Sequence, residues 1–223
     1  MRFLDTILEI VFPGKCLVCD KRGADLCFSC LSASPPALRE SPAWIFPLFD
    51  YRHPPIKKSL WCLKYKGRKK LAGVFAEVIY DHIMEELSEL SILQNFTEPI
   101  LIPIPLSPGR CRERGFNQAE LICKELIKID TMRNIGETKG SLRLEENILI
   151  KPKDTEHQAH IKDRVLRLKN ISGSFVVRVP TAIKDKNIIL IDDILTTGAT
   201  LGEAKKVLKL AGARKIIAFT IAH

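Results

Sequence analysis

The chain of 223 residues has no uninterrupted apolar run of about 18 residues, so the sequence offers no helical membrane span. It has no internal repeat and no low-complexity tract. Aromatic residues make up only 7% of it and do not cluster along the sequence, which argues against a strip of stacked bases. Its partly apolar start carries Asp5 and Glu9 and lacks a small-residue cleavage site, so it is a poor export signal. Phe3, Leu4, Ile7, Leu8 and Val11 instead share one helical face. A cytoplasmic protein with reduced thiols is the expectation.

Cysteine is not scarce, and it is unevenly placed. Four of the seven cysteines, Cys16, Cys19, Cys27 and Cys30, fall in the spacing C-x2-C-x7-C-x2-C. Two such pairs can close a tetrahedral zinc site of four thiolates. A module of about thirty residues can scarcely fold without such a staple. A redox pair does not need four cysteines, and reduced thiols disfavour disulfides. Cys62, Cys111 and Cys123 are scattered and read as ordinary core or surface residues. His157 and His160 lack nearby ligand partners and read as loop residues. The Pro- and Ser-rich stretch "LSASPPALRESP" follows the cysteines. The expected division is a zinc module over 1–34, a linker over 35–50 and a main domain over 51–223.

The formal charge is +9, of which +7 lies within 151–223. That excess fits an anionic ligand, either a phosphorylated small molecule or a nucleic acid; a merely solubilising surface accounts for it equally well. Helical spacing of apolar residues runs from about Arg68 to Leu87, and again from Gly115 to Ile129. "EPILIPIP" (98–105), "SFVVRV" (174–179), "NIILID" (187–192) and "KIIAFTIA" (215–222) read as strands. The stretch 131–147 is polar and reads as a loop. "TLGEAKKVLKLAGA" reads as a helix with Thr200 as N-cap and Gly212 near its stop. Alternating strands and helices predict an α/β fold, a mostly parallel sheet flanked by helices.

Ligands of such sheets sit at the carboxyl ends of strands. Asp192 and Asp193 end the strand 187–192, and Thr196, Thr197, Gly198, Ala199 and Thr200 turn into the next helix. Such a turn points backbone N–H groups at one spot, backed by the positive end of the helix dipole. Two carboxylates would repel a phosphate, but they suit paired hydroxyl donors. A sugar with vicinal hydroxyls and a phosphate one carbon beyond the ring, such as ribose 5-phosphate, satisfies both.

"IILIDDILTTGAT" resembles the signature of type I phosphoribosyltransferases. The resemblance implies that Asp192 and Asp193 hold ribose hydroxyls, and that 196–200 holds the 5′-phosphate of phosphoribosyl diphosphate. "IPIPLSPGRCRERGFNQAELI" resembles the ComF family, also called ComFC or GntX-like. "LKYKG" (63–67), the region around Thr155 and Gln158, and "RLKNISGSF" (167–175) fit its other short motifs. Lys151 departs from an arginine of the pattern, and the spacing from Gln158 to Arg167 is one residue longer than the pattern. The resemblance places a pyrophosphate at the Ile104–Pro105–Leu106 turn, with Arg110 and Arg114 as its side-chain candidates. Lys64 is a further cation for it. Asn117 and Gln118 either touch the ligand or cap a helix, and Arg112 is expected in solvent.

Family resemblance implies Mg²⁺ with phosphoribosyl diphosphate, and a role in natural competence, handling incoming single-stranded DNA. Partners would then include a competence helicase or other uptake proteins. Three functions stay open: a phosphoribosyltransferase with an unknown acceptor, a DNA-handling protein that binds without turnover, and a sensor or adaptor.

Overall fold

The computed structural model describes residues 14–135, 142–152 and 171–223. The helical face over 3–11, the region of Thr155, His157, Gln158 and His160, and the start of "RLKNISGSF" lie outside them.

In chain order the elements are α1 (Phe28–Ser32), β1 (Ile45–Phe49), α2 (Pro54–Tyr65), α3 (Leu71–Gln94), β2 (Ile100–Pro103), α4 (Pro108–Arg114), α5 (Gln118–Arg133), β3 (Arg143–Leu144), β4 (Leu149–Ile150), β5 (Val176–Val177), α6 (Pro180–Ile183), β6 (Asn187–Ile194), α7 (Ala199–Leu210) and β7 (Lys215–Ala222). Five strands form a wholly parallel sheet in the order β1-β7-β6-β2-β3. Strands β4 and β5 make a separate antiparallel pair.

Strand β6 lies at the centre, which explains its composition. Side chains alternate between the faces of a strand. Ile189 and Ile191 join Leu101, Ile217 and Phe219 in one core, against Phe75 and Ile79 of α3 and Ile122 and Leu126 of α5. Ile188 and Leu190 join Ile100, Ile102 and Ile216 in a second core, against Leu201, Ala204 and Leu208 of α7. Both faces are covered, so the strand reads as a continuous apolar run. Each isoleucine so buried contributes about 1.5–3 kcal/mol.

Three expectations are corrected. The stretch 35–50 is not a linker throughout, because β1 lies in it and pairs with β7. Pro47 hides the strand in the sequence, and an edge strand tolerates it. The stretch 131–147 is not one loop. Helix α5 runs to Arg133, and β3 pairs beside β2. Buried Asp130 ties the two, accepting from Tyr80 Oη at 3.0 Å and from the Leu142 N–H at 3.0 Å. The N-cap of α7 is Gly198, not Thr200. Its φ of 76° makes the reversal between strand and helix.

The cysteine module packs onto the main domain. Cys16, Leu26 and Leu31 are buried in the same core as Phe49, Ile56 and Leu60. Lys58 Nζ donates to the Leu17 carbonyl at 2.9 Å, and Arg68 Nη1 pairs with Asp25 Oδ1 at 2.9 Å.

Candidate functional site

A cavity of about 300 Å³ opens at the carboxyl ends of β2 and β6. Strand alternation sets its floor. Asp193 follows Ile189 and Ile191 in phase, toward the face that α2 covers, and Asp192 follows Ile188 and Leu190 toward the other. Lys64 of α2 meets Asp193, with Nζ 2.8 Å from Oδ2 and both side chains largely buried. The contact is an ion pair, and among the described residues no donor is aligned on Oδ2 for a hydrogen bond. Asp192 Oδ1 accepts from the Asp193 N–H at 2.8 Å. Burial, with the Asp193 carboxylate beside it, pushes the Asp192 carboxyl up to about 7 despite Lys64 and Arg114 nearby.

Thr196 and Thr200 continue the cavity wall. Thr197, Gly198 and Ala199 form the turn between them without lining the cavity. Thr197 Oγ1 accepts weakly from the Ala199 N–H at 3.4 Å. The Leu195 N–H donates to the Ala222 carbonyl at 2.8 Å and fixes the start of the turn. Among the described residues nothing accepts from the N–H groups of Thr196, Thr197 and Gly198. Together with the first turn of α7 they can receive a phosphate.

The opposite wall comes from distant segments. Pro105, Leu106 and Ser107 leave β2, and α4 adds Arg110 and Arg114. Arg114 Nη1 donates to Gln118 Oε1. Gln118 is buried and lines the cavity, so it positions the guanidinium. Asn117 caps α5 by accepting from the Ala119 N–H, and its Nδ2 donates to the Ile104 carbonyl at 3.0 Å. It holds the Ile104–Pro105 turn and does not line the cavity. Arg112 is exposed and lies away from it. Lys151 and Phe175 complete the wall, Nζ standing 5.7 Å from the ring.

The sequence missed Trp61 and Tyr65, which line the mouth on α2. The expectation of no aromatic cluster is corrected: the rings are 6.3 Å apart, with Lys66 over Trp61 at 5.0 Å and Arg114 over Tyr65 at 5.2 Å. Their helical i, i+4 spacing was the available signal.

The four cysteines converge in one cluster within the N-terminal module. Their Sγ atoms all lie within 4.8 Å of one another, and Cys19 Sγ is 3.7 Å from Cys27 Sγ. All are free thiols. A tetrahedral zinc with ~2.3 Å bonds to sulfur needs sulfur atoms ~3.8 Å apart. Burial resists ionisation of Cys16, but N–H groups of Cys19, Cys27 and Val18 bring its thiol down to about 6. The cluster can hold a metal and is compatible with structural zinc. No helix among the described residues is long and apolar enough to cross a membrane.

A phosphoribosyl transferase domain matches residues 149–223, which contain β6, the turn and α7. The chain is similar to DNA utilization protein YhgH of Salmonella typhimurium, 26% identical over 215 residues, covering 91% of this chain and 87% of that protein. It is similar to competence protein ComFC of Streptococcus pneumoniae, 32% identical over 161 residues, 71% of this chain and 59% of that protein. Competence protein F of Haemophilus influenzae is 32% identical over 125 residues, 55% of this chain and 49% of that protein.

Proposed function

We propose that this chain, a phosphoribosyltransferase-like protein of the ComF family, binds phosphoribosyl diphosphate or a phosphoribosyl moiety and acts on incoming single-stranded DNA in the cytoplasm. One observation carries the reading. The Asp192–Asp193 pair, Thr196 and Thr200 share a cavity with Arg110 and Arg114 on its facing wall. Ionised carboxylates accept from sugar hydroxyls, the turn receives the 5′-phosphate, and guanidinium forks suit a diphosphate at C1. Mg²⁺, which prefers phosphate oxygens with one or two carboxylates, fits this donor set and would neutralise charge on the diphosphate. The Asp193–Lys64 pair balances the floor before any ligand arrives.

Phosphoribosyl diphosphate with Mg²⁺ is expected to raise the melting temperature. Asp192→Asn with Asp193→Asn should abolish that shift, and an undiminished shift would refute sugar binding. The names of the relatives, with the basic 151–223 stretch, support the DNA reading. It predicts single-strand binding whose log affinity falls against log salt with a slope of about −0.7 per phosphate neutralised. No retention of single strands even at low salt would exclude it.

The placement of Arg110 and Arg114 supports a second reading, transfer to an acceptor. Cleavage of the C1–O bond passes through an oxocarbenium-like state, and the arginines would stabilise the departing pyrophosphate. Pyrophosphate release across candidate acceptors, single-stranded DNA included, tests it.

A further inference from the structure

Not all of the charge carried by 151–223 faces the cavity. Lys151 lines it, but Lys184, Lys186, Lys209, Arg214 and Lys215 gather at the amino ends of β6 and β7. The eight residues of β6 separate the two ends by roughly 25 Å. Backbone bonds fix the basic end. The Asp185 N–H donates to the Gly212 carbonyl and the Arg214 N–H to the Lys186 carbonyl, so two cationic segments lie side by side. Lys209 Nζ donates to the Arg214 carbonyl, and Lys215 Nζ to the Gln94 carbonyl at 2.6 Å. Among the described residues none of the five forms an ion pair. The acids of the adjoining segments, Asp185 and Glu98, are too few to balance them. Two leucines stand among these cations. Leu210 ends α7, and Leu93 precedes Gln94 on α3. They are 80% and 77% exposed, so packing within the chain does not account for them.

We propose that this end of the sheet docks a protein segment that mixes acidic and apolar residues. Its carboxylates neutralise cations that no internal pair satisfies, and its apolar side chains cover Leu93 and Leu210. Nucleic acid would meet only the charges, because phosphates leave the leucines in water. Phe96, the ring of the neighbouring segment, is buried and offers a base no face to stack on. The partner binds with the cavity open, since the two sites lie at opposite ends of β6.

Binding of the full chain to a labelled peptide repeating two glutamates and a leucine tests this, against oligoglutamate, oligothymidine and phosphatidylglycerol vesicles. Fluorescence anisotropy reads the peptides and oligothymidine, and co-sedimentation reads the vesicles. The leucine-bearing peptide should bind on the order of tenfold tighter than oligoglutamate, the worth of one leucine partly removed from water. Lys209→Glu with Arg214→Glu should weaken it on the order of a hundredfold, because like charges then meet. Leu93→Ser with Leu210→Ser should erase the leucine advantage and leave oligoglutamate binding unchanged. All four positions are exposed, so the melting temperature of both variants should hold. Ribose 5-phosphate should not displace the peptide. Peptide binding that survives the charge reversal, or that ribose 5-phosphate displaces, lies elsewhere on the chain and overturns the proposal. A leucine-bearing peptide no tighter than oligoglutamate overturns it too. Oligothymidine or vesicles held by these cations as tightly as the peptide would assign the face to nucleic acid or membrane, and so overturn it.

Discussion

Along one wall of the cavity, Asp192 to Thr200 follow one another in a single strand–turn–helix unit. Along the other, Lys64, Arg114 and Lys151 arrive from α2, α4 and the segment after β4. The first wall is local: strand alternation aims the acids, and Gly198 turns the chain. The second is tertiary, and its geometry depends on how α2 and α4 are docked. Helix α2 is held by the cysteine module, through Lys58 on the Leu17 carbonyl and through the shared core of Leu26, Leu31, Ile56 and Leu60. The local wall is built within one unit and meets α2 through the Asp193–Lys64 pair.

Removing the metal should therefore separate the two walls most sharply. Structural zinc contributes on the order of 10 kcal/mol to folding of small modules. Cys16→Ser is expected to cost the module its metal, which elemental analysis should find at one per chain in the parent. Hydrogen exchange should then quicken over 54–65 while 187–194 stays protected. Equal protection of both segments would show that α2 holds its place unaided.

A smaller effect should distinguish the walls by ligand. Arg114→Ala removes a charged donor from the tertiary wall alone, worth roughly 2 kcal/mol for a contact to phosphate. Affinity for phosphoribosyl diphosphate should fall about thirtyfold, and affinity for ribose 5-phosphate, which has no diphosphate, should hold. Equal losses for both would place Arg114 at the 5′-phosphate instead.

On the local wall, Gly198→Ala tests conformation alone. An added Cβ would meet only Leu195 Cδ1, at 3.8 Å, so space is not limiting. The cost is the left-handed backbone at φ 76°, about 1 kcal/mol. A fall in melting temperature of roughly 2–4 °C is expected for a chain of this size. No change would mean that the turn relaxes to another conformation without penalty.

The same contrast explains what the sequence disclosed. β2, β6, β7 and α7 were legible because their apolar patterns are continuous and their turns carry glycine or proline. The acids and the threonine turn were legible because their order in the chain is their order in space. β1 was hidden by Pro47, and α2 by the proline-rich run before it, although Pro54 and Pro55 suit a first helical turn. Trp61 and Tyr65 were unremarkable in a chain with few aromatics until α2 brought them to the mouth. Asn117 could have been a ligand donor or a cap; only the Ile104 carbonyl beside it decides for the cap.

The mildest test of the local wall is its response to pH. Asp192 is raised from the ordinary carboxylate value to about 7 by burial and by Asp193. The unfolded chain releases that proton near pH ~4. Between about 4 and 7 the folded protein therefore holds a proton that the unfolded chain has lost, so stability falls as pH rises across that window. Above the folded value the penalty is complete, and Asp192→Asn removes it. The melting temperature of the parent should decline relative to that of Asp192→Asn from pH 5 to pH 8, and the variant should be the more stable at pH 8. Sugar binding should run the other way, because hydroxyl donors need the ionised carboxylate, and ribose 5-phosphate should bind more weakly to the variant. Parallel curves for parent and variant would mean that Asp192 ionises freely, and that the two acids share the floor without strain.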